Sequence, residues 1–112
     1  MKGVTREEIY TMVNSLNLPC AYYEFQKDTA QSPPFVCWFF SANTDVFADD
    51  ENYVDKEVLN IELYTRYRDF EQEKAVETVL RSNGLTYSKE AAFIESEAIW
   101  QIAYESEVII NG

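Results

Sequence analysis

Histidine is absent from this chain. That removes Ser-His-Asp and Cys-His nucleophilic catalysis and every histidine-containing zinc site. Glycine is scarce, with Gly3, Gly84 and Gly112 far apart, so the sequence offers no glycine-rich loop to wrap a phosphate. The two cysteines, Cys20 and Cys37, are too few for a four-cysteine zinc cluster. They lie in separate apolar segments without Cys-x-x-Cys spacing and read as reduced thiols. The longest unbroken apolar run, Phe35 to Phe40, falls far short of the roughly 20 residues a spanning helix needs. The opening Met-Lys-Gly-Val passes directly into a polar helix start, so no secretion leader is expected. Positive charge is also in short supply. Nine Lys and Arg stand against twenty Asp and Glu, a formal charge of −11. Phosphate binding needs clustered cations, so this balance argues against a nucleic-acid surface and against docking on an anionic membrane.

What the chain does have is aromatic weight: seven Phe, eight Tyr and two Trp in 112 residues, well outside a disordered composition. The length suits one domain, residues 1–112, that buries roughly two thirds of the surface its unfolded chain exposes. Residues 57–66 read as the central strand. Leu59, Ile61 and Leu63 alternate with Asn60, Glu62 and Thr65, the period of a half-buried strand.

Thr5-Arg6-Glu7-Glu8 is a capping box, and Ile9, Met12, Val13 and Leu16 follow as one helical stripe. Asn17 suits the left-handed position that ends this helix, and Pro19 blocks its continuation. Cys20 to Phe25 reads as a short aromatic strand, paired hairpin-like with Phe35 to Phe40. The latter run does not alternate, so it needs cover on both faces. A second helix is predicted from the Asp69 cap to Asn83-Gly84. Ala75, Val76, Val79 and Leu80 form its buried stripe, and Glu77 pairs with Arg81 one turn on. A short strand near Thr86 to Ser88 and a long one from Ile94 to Ile110 complete the pattern. The expected fold class is α+β, an antiparallel sheet with two helices packed on one face.

Two groups of residues stand out as candidate surfaces. If both helices occupy one face of the sheet, the apolar strand needs a partner on the other. Phe35, Trp38 and Phe40 are therefore candidate subunit-interface residues. Glu95, Glu97, Glu105 and Glu107 alternate with Trp100, Ile102 and Tyr104 along the last strand and form an acidic face. Glu105 and Glu107 stand about 7 Å apart by strand rise, the spacing of an inverting glycosidase pair, but no sugar-binding pattern accompanies them. The 42–56 connection carries Asp45, Asp49, Asp50, Glu51 and Asp55. It lacks the spacing and glycine of a calcium loop and reads as a solvated acidic loop. No catalytic residue, metal site or cofactor is expected.

Several stretches together are familiar. They are Thr5-Arg6-Glu7-Glu8-Ile9-Tyr10 leading to Leu18-Pro19, Ala21-Tyr22-Tyr23, Pro33-Pro34-Phe35 and Asn60-Ile61-Glu62-Leu63-Tyr64-Thr65. Asp69-Phe70-Glu71, Asn83-Gly84-Leu85, Ile94-Glu95-Ser96-Glu97 and the ending Glu107-Val108-Ile109-Ile110-Asn111-Gly112 complete the set. In these the chain resembles small structural proteins from the head–tail region of long-tailed phages and prophages, the tail terminator or tail-completion family. The resemblance implies a non-enzymatic virion subunit, assembled in the host cytoplasm into a ring, usually a hexamer. Such a ring caps the tail tube and meets the head connector in the neck. Its partners would be further copies of itself, the tail-tube protein and the connector, with genome DNA passing through the ring unbound. In that setting the acidic face borders either the lumen or plain solvent. A head-closure or adaptor protein of the neck would share these features. A small ligand-binding module and an acidic DNA-mimic inhibitor are the readings from other classes.

Overall fold

The capping box forms as the sequence requires. The Glu8 amide donates to Thr5 Oγ1 at 3.1 Å and the Thr5 amide donates to Glu8 Oε1 at 2.9 Å, satisfying two donors that a helix start leaves open. In the computed structural model, residues 2–23, 32–42 and 56–110 are described. In chain order the elements are β1 (Lys2–Val4), α1 (Arg6–Asn14), β2 (Cys20–Tyr22), β3 (Phe35–Ala42), β4 (Lys56–Thr65), α2 (Phe70–Ser82), β5 (Ser88–Ile94) and β6 (Ile99–Ile110). Asn17 takes positive φ after α1, and Gly84 does so after α2. There the Leu85 amide donates back to the Leu80 carbonyl at 3.0 Å, the Schellman closure that turns the chain toward β5.

The strands form one sheet in the order β1-β6-β4-β3-β2, with β5 added to β6 along the edge that β1 shares. Here the structure corrects the expected fold class. The sheet is mixed, curls into a half-barrel and dominates the fold, so this is not an α+β domain on an antiparallel sheet. Two pairings make the difference: β1 runs parallel to β6, and β2 runs parallel to β3. The expected hairpin of β2 with β3 is absent because twelve residues, 23–34, separate the strands. That is enough for a crossover, and parallel pairing requires one.

The long final strand is also corrected. Residues 95–98 form a turn in which Ala98 has positive φ, so Ile94 ends β5 and Ile99 begins β6 as an antiparallel hairpin. The central strand stands as read: β4 lies between β3 and β6, antiparallel to both.

One face of the sheet carries the core. Val36 and Trp38 from β3, Leu59, Ile61 and Leu63 from β4, and Ile102, Tyr104, Val108 and Ile110 from β6 pack in one cluster. Ile9, Met12 and Val13 of α1 and Val76 and Leu80 of α2 join it. Each such aliphatic side chain contributes about 1.5–3 kcal/mol by leaving water. The stripe of α2 differs from expectation: Ala75 is exposed, and Glu73 is buried beside Val76 and Leu80.

Candidate functional site

Buried Glu73 organises the first polar group. It sits at the start of α2, whose N-cap Asp69 accepts from the Gln72 amide at 3.2 Å. Arg68, just before the cap, donates twice to the Glu73 carboxylate, from Nε at 2.9 Å and from a terminal nitrogen at 3.0 Å. Lys89 on β5 adds its ammonium at 2.8 Å and reaches Glu77 at 2.6 Å. Tyr104 on β6 donates to the same Glu77 carboxylate at 2.8 Å.

The titration shifts follow from this geometry. The Arg68 hydrogen bonds hold Glu73 below its ordinary value against the opposing effect of burial. Burial works against the charge of Glu77, but Lys89 and Tyr104 together hold it low as well. Burial and the Glu77 carboxylate push the Tyr104 phenol up. Every carboxylate and cation here is answered, so the group acts as a staple joining α2, β5 and β6. Glu77 therefore pairs with Lys89 rather than with Arg81, which donates to the Tyr87 hydroxyl at 2.9 Å.

The second polar group lies on the sheet face opposite the core. Gln101 on β6 donates to the Tyr64 hydroxyl at 2.8 Å, and Tyr64 donates to Glu62 at 2.9 Å. Burial, with the Glu62 carboxylate beside it, raises the Tyr64 phenol. Phe35 stacks on Tyr64 with ring centres 4.8 Å apart, and Asn60 donates to Ser41 at 2.9 Å. Among the described residues, no three His, Cys, Asp or Glu side chains converge as a metal site would need. No described helix is long and apolar enough to cross a membrane.

The residues singled out from sequence do not share one place. Trp38 is buried in the core, with Tyr22 4.8 Å and Phe40 5.9 Å from it, centre to centre. Phe40 is half-buried beneath Arg6, whose guanidinium lies 5.6 Å above the ring. Phe35 points to the opposite face. Glu105 and Glu107 are exposed on that opposite face, and Glu107 pairs with Lys56 at 3.5 Å. Glu95 and Glu97 are exposed in the turn of the β5–β6 hairpin, off the strand itself. Asp45, Asp49, Asp50, Glu51 and Asp55 lie outside the described residues.

What the sequence reading missed is a set of exposed aromatics: Tyr10, Tyr22, Tyr23, Tyr67, Phe70 and Phe93. Five of them fall into two patches. Tyr10 of α1 and Tyr22 of β2 both pack edgewise on Trp38, and Tyr23 stacks on Phe39 at 5.0 Å. At the other end of the sheet, Phe93 of β5 packs 5.3 Å from Trp100. Arg68 there bridges the rings of Phe70 and Trp100, 4.9 and 5.3 Å from them. A signal was present: Tyr10 lies outside the Ile9-Met12-Val13-Leu16 stripe, and Phe70 lies outside the stripe of its helix. Comparison with protein-family models, curated proteins and solved structures finds no match.

Proposed function

We propose that this chain is a non-enzymatic structural subunit of a long-tailed phage virion, a tail terminator whose ring caps the tail tube and meets the head connector. The sequence resemblance suggests the family. The observation that carries the reading is the pair of exposed aromatic patches at opposite ends of one sheet, Tyr10, Tyr22 and Tyr23 at one and Phe70 and Phe93 at the other. Soluble monomers rarely leave such patches open, whereas a subunit that contacts a neighbour on each side needs two. The acidic-inhibitor reading draws on the charge of −11 but gives the patches no role.

Light scattering and negative-stain imaging of the purified chain test the proposal, followed by incubation with tail-tube protein. The expected result is closed rings that bind tube ends and stop tube growth. Rings that ignore tubes but bind isolated connectors would move the assignment to a head-closure or adaptor protein. A monomer at every concentration, shifting only with a basic enzyme, would favour the inhibitor.

A further inference from the structure

We infer that copies of this chain join head to tail, the β5 edge of one copy pairing with the β2 edge of the next to continue the sheet across the contact. This rests on the ring-subunit reading and names the surfaces that build the ring. Among the described residues, β5 pairs only with β6 and β2 only with β3, so each presents an outer edge with no ladder. An unpaired edge is a template for another strand. The Tyr23 amide donates to Trp38, and the Pro19 carbonyl accepts from Val36. By strand alternation the backbone groups of Cys20 and Tyr22 therefore point away from β3. On β5, residues 88–93 are all exposed.

The two edges are matched in more than hydrogen-bonding capacity. Tyr22 is in register with Trp38, and Phe93 with Trp100. Trp38 belongs to the core and Trp100 packs against it, so both edge aromatics lie on the helix-bearing face. Each is joined there by an exposed aromatic from a helix, Tyr10 from α1 and Phe70 from α2. A sheet continued from one copy to the next keeps its faces on the same side. It therefore brings Phe70 and Phe93 of one copy against Tyr10 and Tyr22 of the next. An open depression of about 440 Å³, lined by Arg6, Glu7, Tyr10, Thr11 and Trp38, lies on the receiving side and has room for a phenyl ring.

Because the two surfaces differ, the contact is heterologous, and repetition closes a ring when the rotation allows it.

End-blocking tests this. Phe93→Glu blocks the β5 edge and Tyr22→Glu blocks the β2 edge, with Ala92→Glu and Tyr10→Ser as second variants should either first choice unfold. Circular dichroism reports folding, and light scattering reports size. The wild-type chain should assemble beyond a dimer. Each blocked variant alone should be a folded monomer, and an equimolar mixture should form a heterodimer, since one intact β5 edge and one intact β2 edge remain. Folded variants that still assemble alone, or fail to combine when mixed, would overturn the edges while leaving the ring reading standing. A wild-type chain that stays monomeric would overturn both.

Discussion

Lys89 of the exposed strand β5 places its ammonium 2.8 Å from Oε1 of Glu73, a side chain only 1% exposed. Because residues 88–93 bury little of themselves, β5 is held by its ladder to β6 and by this contact with α2. Arg68 supplies the other half of the neutralisation through two N–H donors. Removing one partner of a buried charge leaves the other charge stranded, at a cost of roughly 3–5 kcal/mol. Arg68→Met should therefore destabilise the chain by about 3 kcal/mol. Lys89→Met should cost less, about 1.5 kcal/mol, the lower end for a hydrogen bond to a charged group. Urea midpoints of the two variants check the order; a larger loss from Lys89→Met would reverse the assignment of the main partner.

The same node sets an acid limit on stability. Glu73 and Glu77 both titrate below their ordinary value of 4.5 in the folded chain. Their stabilisation is fully present above the unfolded value and is lost as pH falls through the lowered folded values. Lys89 is shifted the other way: burial disfavours its charge, but Glu73 and Glu77 raise it above 10.5, so its share is lost only in strong alkali. Glu73→Gln should thus lie well below wild type in urea midpoint at pH 7, and the gap should narrow below pH 4.5. A gap constant from pH 7 to pH 3 would remove Glu73 from the acid response.

Trp38 packs within the monomer, so replacing it should act first on folding. It is 6% exposed, with Tyr10, Tyr22 and Phe40 around its indole. Trp38→Ala should cost about 3–5 kcal/mol of folding stability, read as a lowered denaturant midpoint at a concentration where the chain is dilute. Normal stability with lost assembly would instead favour an interface role.

Neither Cys20 nor Cys37 forms a disulfide. Burial raises the Cys20 thiol, which donates to Asn14 at 3.3 Å, and Cys37 is buried in β3. Alkylation without reductant should be slow on the native protein, with Cys20 reacting first, and should give two adducts once the chain unfolds. A mass showing no adduct after unfolding would mean the thiols are paired.

The parts of the fold that were legible in sequence depend on residues a few positions apart. The Thr5–Glu8 box, the turn at Asn17 and the Gly84 closure each complete their hydrogen bonds within one or two helical turns, so spacing alone specifies them. The parallel partners were not legible, because nothing in Lys2-Gly3-Val4 names Val108 to Ile110 as the strand beside it. The β5–β6 hairpin was hidden by arithmetic. Its four-residue turn, 95–98, leaves Ile94 and Trp100 both at even positions, so they look like points on one strand, although Ile94 pairs with Ile99 and takes the opposite face from Trp100. The ion-pair node was hidden because Glu73 resembles any surface glutamate until Arg68 and Lys89 arrive from separate segments. The aromatic patches were partly legible, as rings standing out of phase with the buried stripes.

The acidic face gives the last prediction. Only Glu105 and Glu107 of the four glutamates lie on the strand. They share the face opposite the helices with Glu62, and Lys56 lies 3.5 Å from Glu107. A ring whose sheets run on from copy to copy turns one sheet face toward its axis. With the helices outside, the inward face is the one bearing these carboxylates. A negative wall repels passing phosphates and releases no counterions to favour binding. Screening confines the effect to about 8 Å at physiological salt, so only a wall close to the duplex matters. Replacing Glu105 and Glu107 with Lys should leave folding and ring formation intact, since both side chains are exposed. Particles carrying the double change should release DNA slowly or incompletely in a dye-release assay, and added salt should restore the rate by screening the new attraction. Wild-type release from normally assembled particles would place this face toward solvent and turn the helices inward instead.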